Sequence, residues 1–171
     1  MPLTETEAAY LAGFFDGEGC INFTRAGKQK TWVIRVAIRN TDLSVIKYIQ
    51  SIAGGRIETR TAYPGKPTWK ASHCLRWDWD HAIAFLEAIE PWVRIKKEQI
   101  LVAKMWDALR NRGNARPDEQ YRDMILLLVS QLQWLNRKGK RREGDKEPIA
   151  ETLATIGAPW QEALSEISHA A

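Results

Sequence analysis

Two carboxylates one residue apart, Asp16 and Glu18, close an apolar stretch that runs Leu11-Ala12-Gly13-Phe14-Phe15 and are interleaved with Gly17 and Gly19. Carboxylate oxygens are hard ligands suited to Mg²⁺, an ion that keeps several waters and usually takes one or two carboxylates together with phosphate oxygens. Upstream, Thr4 and Glu7 have the spacing of a capping box, which predicts a helix beginning near residue 5 and running into Asp16. A carboxylate at a helix C-terminus meets the unfavourable end of the helix dipole, and a bound cation would relieve it. The glycines are expected to supply the backbone angles that end the helix. Two acids at this place point to metal-assisted phosphodiester chemistry, which needs a carboxylate-held cation, a water nucleophile and cations that offset charge on the phosphate.

The string Leu11 to Gly19 resembles the signature of the LAGLIDADG homing endonucleases, with Phe15 in the place of the Ile and Glu18 in the place of the second Asp. The resemblance implies that Glu18, with the main-chain carbonyl of Gly17, holds Mg²⁺ or another divalent cation, and that Asp16 is mainly structural. It also implies that Lys96, in Arg94-Ile95-Lys96-Lys97 after Pro91, lies beside the catalytic water network. Asn40 falls where the family commonly has a glutamine that positions a water; Arg39 is the alternative for that task. A single motif implies a homodimer joined through the first helix, here Leu11, Ala12, Gly13 and Asp16. The activity implied is a double-strand break in a long pseudo-palindromic DNA site. The alternatives are an RNA-splicing maturase or a DNA-binding regulator that no longer cuts, and an unrelated α+β interaction domain.

The elements that must hold these residues follow from periodicity. Ile21 and Phe23, then Trp32, Ile34, Val36 and Ile38, alternate with their neighbours as strands do, around a polar tip at 26–30. Leu43, Ile46, Ile49 and Ile52 repeat at helical spacing before Gly54-Gly55. A second pair of strands is predicted over 56–63 and 69–79, joined across Pro64-Gly65-Lys66-Pro67. Helices are expected over 81–88, 92–110 and 118–134, with one or two short ones over 148–167. The fold class is therefore α+β, an αββαββα core over about 4–110 with a saddle-shaped antiparallel sheet and extra C-terminal helices, all one domain. That order is also the core of the resembling family.

Alternation puts Asn22, Thr24, Lys28, Lys30, Thr31 and Arg35 of the first hairpin, and Arg56, Glu58, Arg60, Lys70, Ser72 and Arg76 of the second, on one polar face. Such a face can lie in the major groove of double-stranded DNA, where arginine forks match guanine. Arg137, Lys138, Lys140, Arg141 and Arg142 form a run suited to phosphate contact, and the resemblance implies that it approaches the scissile phosphates. Trp32, Trp77 and Trp79 read as core, and Trp92, Trp106 and Trp134 as apolar helix faces.

The chain has 171 residues and a formal net charge of +4, which fits nucleic-acid contact without demanding it. Two cysteines without ligand spacing imply neither a zinc site nor a disulfide framework. No apolar run is long enough to span a membrane, and the N-terminus lacks the pattern of a signal peptide, so an intracellular protein is expected.

Overall fold

The structure, a computed structural model, describes residues 3–28, 31–61, 68, 70–111 and 119–137. They form helix α1 (Glu5–Glu18), strands β1 (Gly19–Ala26) and β2 (Thr31–Asn40), helix α2 (Leu43–Ala53), strands β3 (Arg56–Arg60) and β4 (Ser72–Asp78), helix α3 (Asp80–Ile89), a 3₁₀ turn (Glu90–Trp92), and helices α4 (Lys97–Asn111) and α5 (Glu119–Asn136). The class is α+β, with one four-stranded antiparallel sheet in the order β1-β2-β4-β3. The described residues divide into two compact units, one within 1–24 and 33–97, the other within 25–32 and 98–171.

The first unit is built outward from α1. Thr4 caps it reciprocally: the Glu7 amide donates to the threonine oxygen, and the Thr4 amide donates to the Glu7 carboxylate at 2.8 Å. The same bonds hold the pKa of Glu7 below the usual carboxylate value. Leu11, Ala12 and Phe15 are buried completely, and Phe15 meets Phe85 of α3 edge-on at 5.8 Å. Phe85 in turn stacks on Trp77 of β4 at 4.1 Å. The Trp77 indole N–H donates to the carbonyl of Ala53, so the end of α2 is fastened to the central strand. Asp42 caps the other end of α2 by accepting from the amides of Ser44 and Val45.

Register separates the two sheet faces. Val36 pairs with Trp77 and Ile38 with Leu75, which together with Ile57 face the helices; Arg35 pairs with Asp78 and Arg39 with Cys74 on the other side. The alternation expected for β2 is incomplete, because Val33 and Ala37 are buried too. Ala37 lies opposite Arg76, whose long stem shields so small a side chain.

Several expected boundaries shift. Strand β3 stops at Arg60 and β4 begins at Ser72 and ends at Asp78. Trp79 does not continue the strand: its φ of 57° is unusual for an aromatic residue, it turns the chain into α3, and it stays 38% exposed rather than joining the core. Trp92 is likewise 40% exposed, whereas Trp106 is buried. Pro91 opens only the short 3₁₀ turn, and α4 begins at Lys97, five residues later than the sequence suggests. The amides of 94–96 in the segment between donate to Asp16, as described below. The short helices expected over 148–167 lie outside the described residues.

In the second unit Trp106, Met124, Leu128, Leu132 and Leu135 are buried, and Arg110 lies 5.1 Å from the Trp106 ring while pairing with Asp107 at 2.7 Å. Arg25 covers the ring of Trp32 at 4.5 Å. No helix of the described residues is long and apolar enough to cross a membrane.

Candidate active site and nucleic-acid face

Helix α1 continues through both acids and delivers them differently. Asp16 faces the chain that follows the 3₁₀ turn. Its carboxylate accepts the backbone amides of Arg94 at 2.8 Å, Ile95 at 3.1 Å and Lys96 at 3.2 Å. Three N–H donors supply the compensation that a carboxylate at a helix C-terminus lacks. These amides lie just ahead of α4, where backbone N–H groups have no intrahelical acceptor, so the Asp16 carboxylate satisfies them from another element. The Lys96 ammonium then reaches back to the main-chain oxygen of Asp16 and lies 5.8 Å from the centre of the Phe15 ring.

Glu18, the last residue of α1, is exposed, as is Gly17. Gly19 follows in extended conformation and donates its amide to the Phe15 carbonyl. Its missing side chain serves close approach and not an unusual backbone angle, since a Cβ there would overlap the Phe15 ring. The helix end thus presents the exposed Glu18 carboxylate beside Gly17, with the Lys96 ammonium held on the carbonyl of Asp16. An oxygen-only donor set of this kind suits a hard divalent cation that keeps water and phosphate in its remaining positions. Among the described residues no group of three or more His, Cys, Asp or Glu side chains converges on one point.

Asn40 and Arg39, on opposite faces of β2, have separate tasks. The Asn40 side-chain oxygen accepts the amide of Asp42 at 2.9 Å, an Asx turn that starts α2. Arg39 is exposed and donates to the Ser72 hydroxyl at 3.3 Å. It shares its face with Cys20, whose thiol accepts from the Asn22 amide group at 3.3 Å. Burial around the sulfur and the neighbouring Cys74 thiol push the Cys20 thiol upward, although the positive charges of Arg39 and Lys96 oppose the shift, so at neutral pH it is a protonated neighbour and not a nucleophile.

The polar face expected from alternation holds Arg35, Arg56, Glu58, Arg60 and Arg76 in register, and Asn22 is exposed on β1. Thr24 is half-buried, and Ser72 is 6% exposed beneath Arg39, which removes it from direct reach of a ligand. Lys28, Thr31, Lys70 and Arg137 are exposed. Lys30, Lys138, Lys140, Arg141 and Arg142 lie outside the described residues. A row of ion pairs crosses three strands here: Arg35 Nε to Asp78 at 2.6 Å, Arg76 Nε to Asp78 at 3.4 Å, Arg76 Nη1 to Glu58 at 2.7 Å, and Arg56 to Glu58 at 4.0 Å.

With these positions in place, comparison with known proteins adds two findings. Residues 11–73 match the model of the LAGLIDADG endonuclease family. The chain is also similar in fold to homing endonuclease I-CvuI in complex with its target (TM-score 0.58, 22% identity, 95% of each chain covered), to the archaeal intron-encoded homing endonuclease I-Vdi141I complexed with DNA (0.62, 16%, 96% of each) and to the group I intron-encoded homing endonuclease I-CeuI complexed with DNA (0.59, 18%, 77% of this chain and 68% of that one). At these identities the likeness establishes the fold. No curated protein sequence matches the chain.

Helix α1 differs from expectation in which residues it leaves outward. Leu11 and Ala12 are fully buried within their own chain, and Asp16 is engaged with 94–96, so none of these three is on an open surface. Gly13 is exposed, with nothing within 4 Å of where a Cβ would stand, and so is Gly17; Ala9 extends the same exposed stripe. Two features were missed from sequence. Asp78 could have been found, because it follows Arg76 by two residues on one strand and must share its face. The amides of 94–96 could not, since nothing local marks them as partners of Asp16.

Proposed function

We propose that the protein is a homodimeric DNA endonuclease that requires a divalent cation, Mg²⁺ by its donor chemistry, and cuts both strands of a long pseudo-palindromic site inside the cell. The observation that carries this reading is Glu18: an exposed carboxylate in the register of the motif's second acid, at the end of a helix whose geometry Asp16 and Lys96 fix from 94–96. Glu18 and the carbonyl of Gly17 would hold the cation, which when bound supplies an activated water and charge compensation at the scissile phosphate. Lys96 keeps an ammonium near that phosphate. One donor of the ammonium goes to the main-chain oxygen of Asp16, which holds the charge at the end of α1. Arg39, exposed on the same side as Cys20, is better placed than Asn40 to reach the reacting groups, because the Asn40 oxygen is occupied by the α2 turn.

Two chains are needed because each brings one Glu18 while two strands must be cut. The exposed Ala9-Gly13-Gly17 stripe supports the pairing. Glycine inside a helix costs about 1 kcal/mol relative to alanine, and at Gly13 nothing within the chain requires it. For DNA, the arginine-rich sheet face would read the groove.

The test is cleavage of sites selected from a random duplex library. Glu18→Gln should bind the selected sites as tightly as wild type and leave both strands intact in Mg²⁺, while Lys96→Met cuts at least tenfold more slowly. Full cutting by Glu18→Gln overturns the assignment. Binding without cutting by the wild-type protein would instead mark a DNA-binding regulator, and selective binding of structured RNA a maturase.

A further inference from the structure

The row of ion pairs on the sheet face contains two carboxylates that no part of the reading above uses. Arg56 and Arg76 are directly opposed in the β3–β4 ladder, a like-charge pair that opposes pairing of the strands. Glu58 and Asp78 offset that repulsion, but Asp78 does more. It takes the Nε–H of Arg35 across the β2–β4 pair at 2.6 Å and lies 3.4 Å from Nε of Arg76 on its own strand. A guanidinium carries five N–H donors in a fixed planar fork. Holding Arg35 by Nε immobilises the fork and leaves its two terminal amino groups as the outward edge, the edge that matches O6 and N7 of guanine. The side chain of Arg35 remains 32% exposed and that of Asp78 28%, so the pair sits at the surface of the face and not beneath it.

We propose that Asp78 is a specificity-determining residue: it positions Arg35, and through the same carboxylate Arg76, so that the Arg35 fork reads one guanine in each half-site. The proposal rests on the DNA-binding reading above. Free arginine adapts to phosphate, sugar or any acceptor; an arginine clamped by Nε offers a planar pair of donors in one direction. Asp78 therefore trades general affinity, by adding a negative charge to a face that meets phosphates, for discrimination at a single base pair. Glu58, which takes a terminal amino group of Arg76 at 2.7 Å, leaves that second arginine less of its fork and makes it the weaker reader.

The experiment measures binding of the full chain to duplexes selected from a random library, then to every single-base variant of the selected site, for wild type, Arg35→Ala, Asp78→Asn and the double variant. Arg35→Ala is expected to flatten the guanine preference at one symmetric position by roughly 5- to 100-fold, the range for one bidentate contact. Asp78→Asn should flatten the same position to a similar degree, raise affinity for unrelated DNA, and leave thermal stability near wild type. The double variant should be no flatter there than Arg35→Ala alone. If Asp78→Asn does not fold, Arg35→Lys tests the same point, since it keeps the charge, lacks the fork and should lose the preference without losing general affinity. A wild-type preference retained in Asp78→Asn or Arg35→Lys, or a loss spread evenly over all positions, overturns the role of Asp78 while the DNA-binding reading stands. A wild-type chain that selects no sequence overturns both.

Discussion

Asp16 and Glu18 are two residues apart and chemically alike, yet their environments assign them opposite dependences. Asp16 satisfies three backbone donors, and charge-assisted bonds of this kind contribute more than neutral ones. Asp16→Ala is expected to lower the unfolding free energy by about 2–4 kcal/mol in urea titration, since the three amides lose their common acceptor while the main-chain oxygen that takes the Lys96 ammonium remains. Asp16→Asn should cost less, because one oxygen still accepts. Glu18, exposed at the end of α1, makes no such bonds, and Glu18→Gln should stay within about 0.5 kcal/mol of wild type in the same titration. A stable Asp16→Ala together with an unstable Glu18→Gln would reverse the two roles. Lys96→Met is expected to show both effects, a lower melting point and slower cutting, because its ammonium ties down the helix end that it also serves.

Helix α2 and the turn behind it show which elements could be read from sequence and which could not. Asp42 caps α2 through two amides and the Ser44 hydroxyl, and these bonds pull its pKa below the usual aspartate value. The ionised form is thus favoured by folding. The stability it contributes is fully present above the unfolded aspartate value and disappears as pH falls through the lowered folded value. The stability difference between wild type and Asp42→Asn should therefore be constant near neutrality and vanish in strong acid. The Thr4–Glu7 box was legible because donor and acceptor are three residues apart, as was the period of Ile46 and Ile49, whereas the Asp42 cap emerges only from the structure. Gly55 was legible only as a helix stop. Its φ of +95° is reinforced by the Trp77 indole 2.8 Å from where a Cβ would stand, and Gly55→Ala is expected to cost about 2–4 kcal/mol. Trp79 was misread as core because its positive φ breaks the alternation that the reading relied on. The contact that holds the entry to α4 was hidden because its acceptor, Asp16, lies nearly eighty residues away in sequence. For α1, Gly13→Leu should leave the chain folded, since open space surrounds Gly13, while sedimentation shows the proposed dimer lost. A Gly13→Leu protein that still sediments as a dimer places the contact elsewhere.

For the molecule as a whole, a net charge of +4 is small, and what matters is where cations go unanswered. On the sheet face three arginines are set against two carboxylates, whereas the run at 137–142 carries five cations and no acid. Neutralising Arg137, Lys138 and Lys140 should weaken DNA binding about equally for all sequences and reduce the slope of log affinity against log salt by about three, close to one for each phosphate contact removed. An unchanged slope would leave that run without phosphate contacts.

The bonds from Asp16 to Arg94, Ile95 and Lys96 span 78, 79 and 80 residues. A ribosome adding about 5–20 residues per second needs roughly 4–16 s to cover that distance. Throughout that interval the motif helix exists without the amides and the ammonium that fix its end. A polypeptide released before residue 94 carries both acids and much of the sheet, yet it lacks the clamp that sets their geometry. Interrupted synthesis therefore yields fragments bearing both acids but not the bonds that order them, so the proposed DNA cleavage would be confined to completed chains.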